Sequence, residues 1–80
     1  MFLTPNLRLI ARDGEIGGGY IVYTRDKLEH ALQTLIAFQE IEPARGWRVQ
    51  VRGFVADWHN AETATLRALT DADLRGCLAR

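Results

Sequence analysis

The sequence predicts a small single α+β domain: a ββαβ core, with one helix packed on one face of a three-stranded sheet, followed by one or two short C-terminal helices. Three observations predict it. Trp47, Val49 and Val51 alternate with Arg48, Gln50 and Arg52 inside the stretch Trp47 to Val55, the period-two pattern of a half-buried strand. Leu7, Leu9 and Ala11 alternate in the same way with Arg8, Ile10 and Arg12, and the Asp13-Gly14 pair that follows is a turn signal. From Leu28 to Ile41 the apolar residues instead recur at spacings of three and four, which describes one buried face of a helix.

The first strand is expected over Asn6 to Arg12. The triple glycine Gly17 to Gly19 reads as the tip of a long hairpin loop. Tyr20-Ile21-Val22-Tyr23-Thr24 is rich in β-formers and nearly continuously apolar, so it is placed as the second strand, in the middle of the sheet. Thr24 is positioned as a helix N-cap, with Asp26 near the positive end of the helix dipole. Leu28, Ala31, Leu32, Leu35, Phe38 and Ile41 should pack, and Glu42-Pro43 should end the helix because the residue before proline is driven out of the α region. Gly53 marks a bulge or bend, so the alternation is not extended beyond Arg52. Asn60 is a candidate N-cap for a helix over Ala61 to Leu69, and Thr70-Asp71-Ala72-Asp73 has the form of a capping box opening a last helix through Leu78.

A chain of 80 residues supports one modest core. With 48% hydrophobic and 25% charged residues it is neither disordered nor membrane-like in composition. No apolar run reaches the roughly 20 residues needed to cross a bilayer, and the start lacks the basic and apolar regions of a signal peptide, so a cytoplasmic location is expected. One cysteine, Cys77, excludes an internal disulfide.

No catalytic or metal motif emerges, and neither enzymatic activity nor a cofactor is expected. The glycine triplet leads from strand to strand, not from a strand to a helix N-terminus as in nucleotide loops. His30, Asp57, His59 and Cys77 have no recurring ligand spacing. His59 reads as a surface or loop-capping residue and Cys77 as a buried, inert thiol.

The charge is informative by position. The net charge is zero, yet the two alternating segments hold Arg8, Arg12, Arg48 and Arg52 and no acidic residue. If the parities hold, these arginines share one sheet face with Ile10, Gln50, and Tyr20 or Phe54. Nine arginines against one lysine fit either planar bidentate contacts or a GC-rich coding bias. The same arginines could lie over the open side of the sheet and pair with Asp and Glu, or the C-terminal helices could cover them. Trp58 is expected to plug the junction between sheet and C-terminal helices; exposed, it would be a binding hot spot.

These residues, Arg8, Arg12, Arg48, Gln50, Arg52 and Trp58, are the candidate partner-binding set. The function expected from them is a non-enzymatic module that docks on a larger protein or protein complex as inhibitor or adaptor. Small bacterial or phage proteins of the anti-defence, anti-CRISPR type exemplify the role by analogy of class alone. The alternatives are nucleic-acid binding through the arginine face, which a neutral chain does not favour, and self-association as a homodimer through the strand Trp47 to Val55 lying at a sheet edge.

Overall fold

A computed structural model describes residues 5–53 and 57–78. Its sheet has four strands rather than three. They are β1 (Leu7–Ile10), β2 (Ile16–Tyr20), β3 (Arg48–Val51) and β4 (His59–Asn60), all antiparallel, in the order β2-β1-β3-β4. The helices are α1 (Arg25–Ile41), α2 (Thr63–Arg67) and α3 (Asp71–Leu78). The α+β class and the single helix crossing from the first hairpin to β3 are as expected.

The central pair is β1 and β3, in a register that sets Leu7 opposite Val51, Leu9 opposite Val49, and Arg8 opposite Gln50. Opposed residues of an antiparallel pair point to one face. Leu7, Leu9, Val49 and Val51 therefore form a floor for the buried face of α1, Leu28, Ala31, Leu32 and Leu35, and all eight belong to one core cluster with Val22, Trp47, Leu66 and Leu74. Each fully buried leucine here contributes about 1.5–3 kcal/mol relative to exposure.

The middle of the sheet is not Tyr20 to Thr24. β2 begins at Ile16, takes in all three glycines and forms an edge, and the chain from Ile21 to Thr24 runs as a link into α1. Two contacts explain the difference. The Asn6 side chain, only 4% exposed, mimics a strand partner for Val22: its Nδ2 donates to the Val22 carbonyl at 3.1 Å and its Oδ1 accepts from the Val22 N–H at 2.7 Å. The Val22 backbone is thus satisfied while its side chain enters the core, without the ladder that β-propensity would favour. The glycines, for their part, are required by packing. The register slips between Leu9 and Ile10 so that Gly17 is the extra residue of a bulge. A Cβ there would fall 2.6 Å from Phe38 Cε2 and 2.7 Å from Trp47 Cζ3.

The hairpin turn is correspondingly short. Gly14, with φ of 93°, occupies the left-handed region, and the Ala11 N–H donates to the Glu15 carbonyl at 2.9 Å to close it.

Thr24 caps α1, its Oγ1 accepting from the Lys27 N–H at 3.3 Å. After Glu42 a 3-10 turn over Pro43–Arg45 ends at Gly46, left-handed with φ of 62°, and feeds β3. Ile41, expected in the core, is 76% exposed: the apolar stripe of α1 has left the sheet by its last turn, and Phe38 is only partly buried.

The strand expected over Trp47 to Val55 is ordered as Arg48–Val51, in the sheet interior rather than at an edge; Phe54 and Val55 lie outside the described residues. Asn60 belongs to β4 and does not cap a helix. α2 starts two residues later than expected and its N-cap position, Glu62, makes no side-chain capping bond. The capping box of α3 forms as predicted, with Thr70 N–H donating to Asp73 Oδ2 at 3.0 Å and Asp73 N–H to Thr70 Oγ1 at 3.1 Å.

α2 and the start of α3 pack beside the start of α1, and among the described residues the hydrogen bonds and ring contacts of Arg8, Arg48 and Arg52 involve neither helix. Arg67 Nε pairs with Glu29 at 3.1 Å, and Arg25 Nη1 donates to the carbonyls of Arg67 (2.8 Å) and Leu69 (2.6 Å). Asp71 Oδ1 in turn accepts from the Arg25 N–H at 2.8 Å.

Gly17→Ala should destabilise the protein by about 1–3 kcal/mol, the usual cost of overpacking. Gly76→Ala, in α3 with nothing within 4 Å of the added methyl, should stabilise it by about 0.5–1 kcal/mol. Urea unfolding of the two variants checks the opposed signs. The Asp73 carboxyl is held below the usual aspartate range, first by the Thr70 backbone N–H and then by its hydroxyl. That contribution to stability is present above the unfolded-state pKa of aspartate and lost as pH falls through the folded-state value. Asp73→Asn should flatten the acid limb of stability below about pH 4, measured by thermal unfolding against pH.

Candidate functional site

The face opposite α1 follows from the same register that builds the core. Arg8 stands opposite Gln50 and Ile10 opposite Arg48, so both point away from the helix, and Arg52 continues the β3 alternation. Ile10, 7% exposed, lies outside the core cluster and forms the apolar floor between the arginines. Tyr20, opposite Leu7, packs on the core side and does not join this face.

Trp58 is not a plug between the sheet and the C-terminal helices. It lies against the arginine face, half-buried, with the guanidinium carbons of Arg8 and Arg52 over its ring at 4.4 and 4.9 Å from the centroid. Pairing of β4 with β3 puts it there: Asn60 is opposite Gln50, and two residues back along the chain Trp58 returns to the same side.

The three arginines of this face are fixed through Nε. Arg8 Nε donates to Gln50 Oε1 at 2.9 Å, Arg52 Nε to the Pro5 carbonyl at 3.1 Å, and Arg48 Nε to Asn60 Oδ1 at 3.2 Å. Gln50 Nε2 donates to the same Asn60 oxygen at 3.0 Å, so Arg8, Gln50, Asn60 and Arg48 form one continuous chain of hydrogen bonds. Arg48 Nη1 donates to the Ala11 carbonyl at 3.3 Å. Among the described residues the terminal nitrogens of Arg8 and Arg52 have no hydrogen-bond partner. Gly19, opposite Arg8 on β2, places no side chain beside it. Arg12 stands apart at the far end of β1, its guanidinium against Gly46, where a Cβ would be 3.1 Å from its Nε and Nη2.

All ten acidic side chains lie among the described residues, and none is paired with Arg8, Arg12, Arg48 or Arg52. The carboxylates are used elsewhere. Arg45 meets Glu15 at 2.6 Å, Asp13 at 3.4 Å and Glu42 at 3.6 Å, and lies over Trp47 at 5.1 Å. The Asp13 carboxyl is held below its ordinary range, chiefly by the Glu15 backbone N–H with help from Arg45. The reading in which the sheet-face arginines pair with nearby Asp and Glu is thus not met among the described residues, where the ion pairs fall on Arg45 and Arg67 instead.

His59 is exposed, with Nδ1 3.4 Å from the Asp57 carbonyl, and His30 is exposed with its ring edge-on to Tyr20 at 6.2 Å. Among the described residues no three His, Cys, Asp or Glu side chains gather at a metal-binding distance, and no helix is long and apolar enough to cross a membrane. The side chain of Cys77 lies outside the description.

Two contributors escaped the sequence reading. Asn60, read as a helix cap, ties Arg48 to Gln50; the period-two relation of Trp58 to Asn60 was the available signal. The Pro5 carbonyl that holds Arg52 had none. No protein-family model, curated protein or solved structure matches this chain.

Trp58→Ala should cost about 1–2 kcal/mol, the loss of its two guanidinium–ring contacts, whereas Trp47→Ala, 6% exposed, should cost about 3–5 kcal/mol. Paired denaturant titrations check this, and equal losses would return Trp58 to a core role.

Proposed function

We propose that this chain is a non-enzymatic binding module that docks, through the face bearing Arg8, Arg48, Gln50, Arg52 and Trp58, on an acidic surface of a larger protein, as inhibitor or adaptor. The observation that carries the reading is the set of guanidiniums anchored at Nε, with no carboxylate partner among the described residues. An arginine held through Nε presents its terminal nitrogens in a fixed fork, the geometry that suits carboxylates. Anchoring also removes side-chain entropy before the partner arrives, which favours affinity. Stacking on Trp58 and the Ile10 floor lowers the exposure of the guanidinium planes to water, and arginine with tryptophan is the composition of interface hot spots.

Protein is favoured over nucleic acid on two grounds. Bases stack on open aromatic faces, and Trp58 already has two guanidiniums over its ring. Phosphate-dominated binding also calls for a basic domain, and this chain is neutral, with a pI near 6.7.

Pull-down of tagged protein from lysate of its native host, washed at low and high salt, tests this against Arg8→Glu/Arg52→Glu. A defined protein complex should be retained at moderate salt and weakened at least tenfold in the variant, whose circular dichroism should show the same fold. Recovery of nucleic acid alone, and only at low salt, would replace the proposal with nucleic-acid binding.

A further inference from the structure

We infer that the occupant of the arginine face is an extended segment of the partner protein whose Asp or Glu residues recur at every second position, laid along the β1–β3 pair. The inference rests on the docking role proposed above and names the pattern that the face recognises.

The register sets the spacing of the arginines. Three consecutive rungs contribute one each: Arg48 across from Ile10, Arg8 across from Gln50, and Arg52 across from Asn6. The last rung continues the ladder through the Arg52 N–H, which donates to the Asn6 carbonyl at 3.0 Å. The arginines thus come from β3, then β1, then β3. Rungs that face the same way are two residues apart, about 6.8 Å along the strands, so the three are rooted over about 14 Å in a zigzag about 5 Å wide. Arg12 is next on the same line, but its guanidinium lies against Gly46 without an anchoring hydrogen bond among the described residues.

The heads keep the spacing of the roots, because Nε of each of the three is held by a neutral acceptor. Trp58 takes the flat faces of Arg8 and Arg52, whereas a carboxylate takes the in-plane N–H edge, so ring and carboxylate engage one guanidinium together. Arg48 uses Nη1 on the Ala11 carbonyl and keeps Nη2.

An extended segment matches this period because it has the same one. Its side chains at alternate positions lie on one side at intervals of about 6.8 Å. A helix face repeats once per turn, about 5.4 Å, so an acidic helix falls about 3 Å out of step by the third arginine. That misfit is a whole hydrogen-bond length. Mobile lysines would follow it, and guanidiniums fixed at Nε do not.

NMR titration of ¹⁵N-labelled protein at about 0.15 M salt tests the inference with four ligands. They are the peptide Thr-Glu-Thr-Glu-Thr-Glu-Thr, its isomer with three consecutive glutamates, an alanine-rich helical peptide with three glutamates one turn apart, and single-stranded oligothymidylate. The alternating peptide should bind at least fivefold more tightly than either other peptide and shift the Nε–H signals of Arg8, Arg48 and Arg52. Arg8→Lys keeps the charge and loses the anchor; with circular dichroism unchanged, it should reduce that preference below twofold. Equal affinity for the two isomers, tighter binding of the helical peptide, no binding of the alternating peptide, or a preference that survives Arg8→Lys overturns the inference. None of these touches the broader docking role, which the pull-down decides. Tighter binding of oligothymidylate than of the alternating peptide overturns both.

Discussion

Leu7 stands opposite Val51 and Leu9 opposite Val49 beneath α1, and the placement of nearly every other side chain depends on that register. Side chains alternate with a period of two, so a slip of one residue in either strand would carry that strand's arginines toward the core and its apolar residues into water. Burying an unpaired guanidinium costs far more than a misplaced leucine. The register is therefore strongly specified, and with it the composition of the opposite face. The arginine face is a necessary counterpart of the core, built by the same two strands.

A neutral chain can carry such a face because its charges are sorted by element. Carboxylates gather at the hairpin turn, along α1 and at the start of α3, where Arg45, Arg67 and the Thr70 cap engage several of them. The sheet arginines are engaged by neutral groups instead: an amide oxygen for Arg8, another for Arg48, a backbone carbonyl for Arg52. Neutral acceptors orient a guanidinium without cancelling its charge, so the face remains positive while its side chains are held.

The legible parts of the fold were those governed by local periodicity or by one local bond. The alternation of β1 and β3, the Thr24 cap, the break at Pro43 and the reciprocal Thr70–Asp73 bonds all depend on residues within a few positions of each other. What could not be read depended on distant partners. Tyr20 to Thr24 has the composition of a strand, but Asn6, sixteen residues earlier, satisfies the Val22 backbone with its side chain. The glycines resemble a flexible tip, yet Gly17 is a point of contact with Phe38 and Trp47 from two other elements. β4 has only two residues, too short to display a period. Of the candidate site, Arg8, Arg48, Gln50 and Arg52 followed from parity, while Trp58 needed the β3–β4 pairing to bring it over them and Arg12 proved separate.

The most direct test of the central claim, that the sheet guanidiniums are held in place before any partner arrives, is hydrogen exchange at the arginine Nε–H groups, read by ¹⁵N-resolved NMR on the free protein. Arg8, Arg48 and Arg52 should give distinct, slowly exchanging Nε–H signals, with Arg12 and the exposed Arg75 exchanging fast. Uniformly fast exchange at all five would contradict the account, leaving a positive surface of mobile side chains with no fixed geometry to recognise anything.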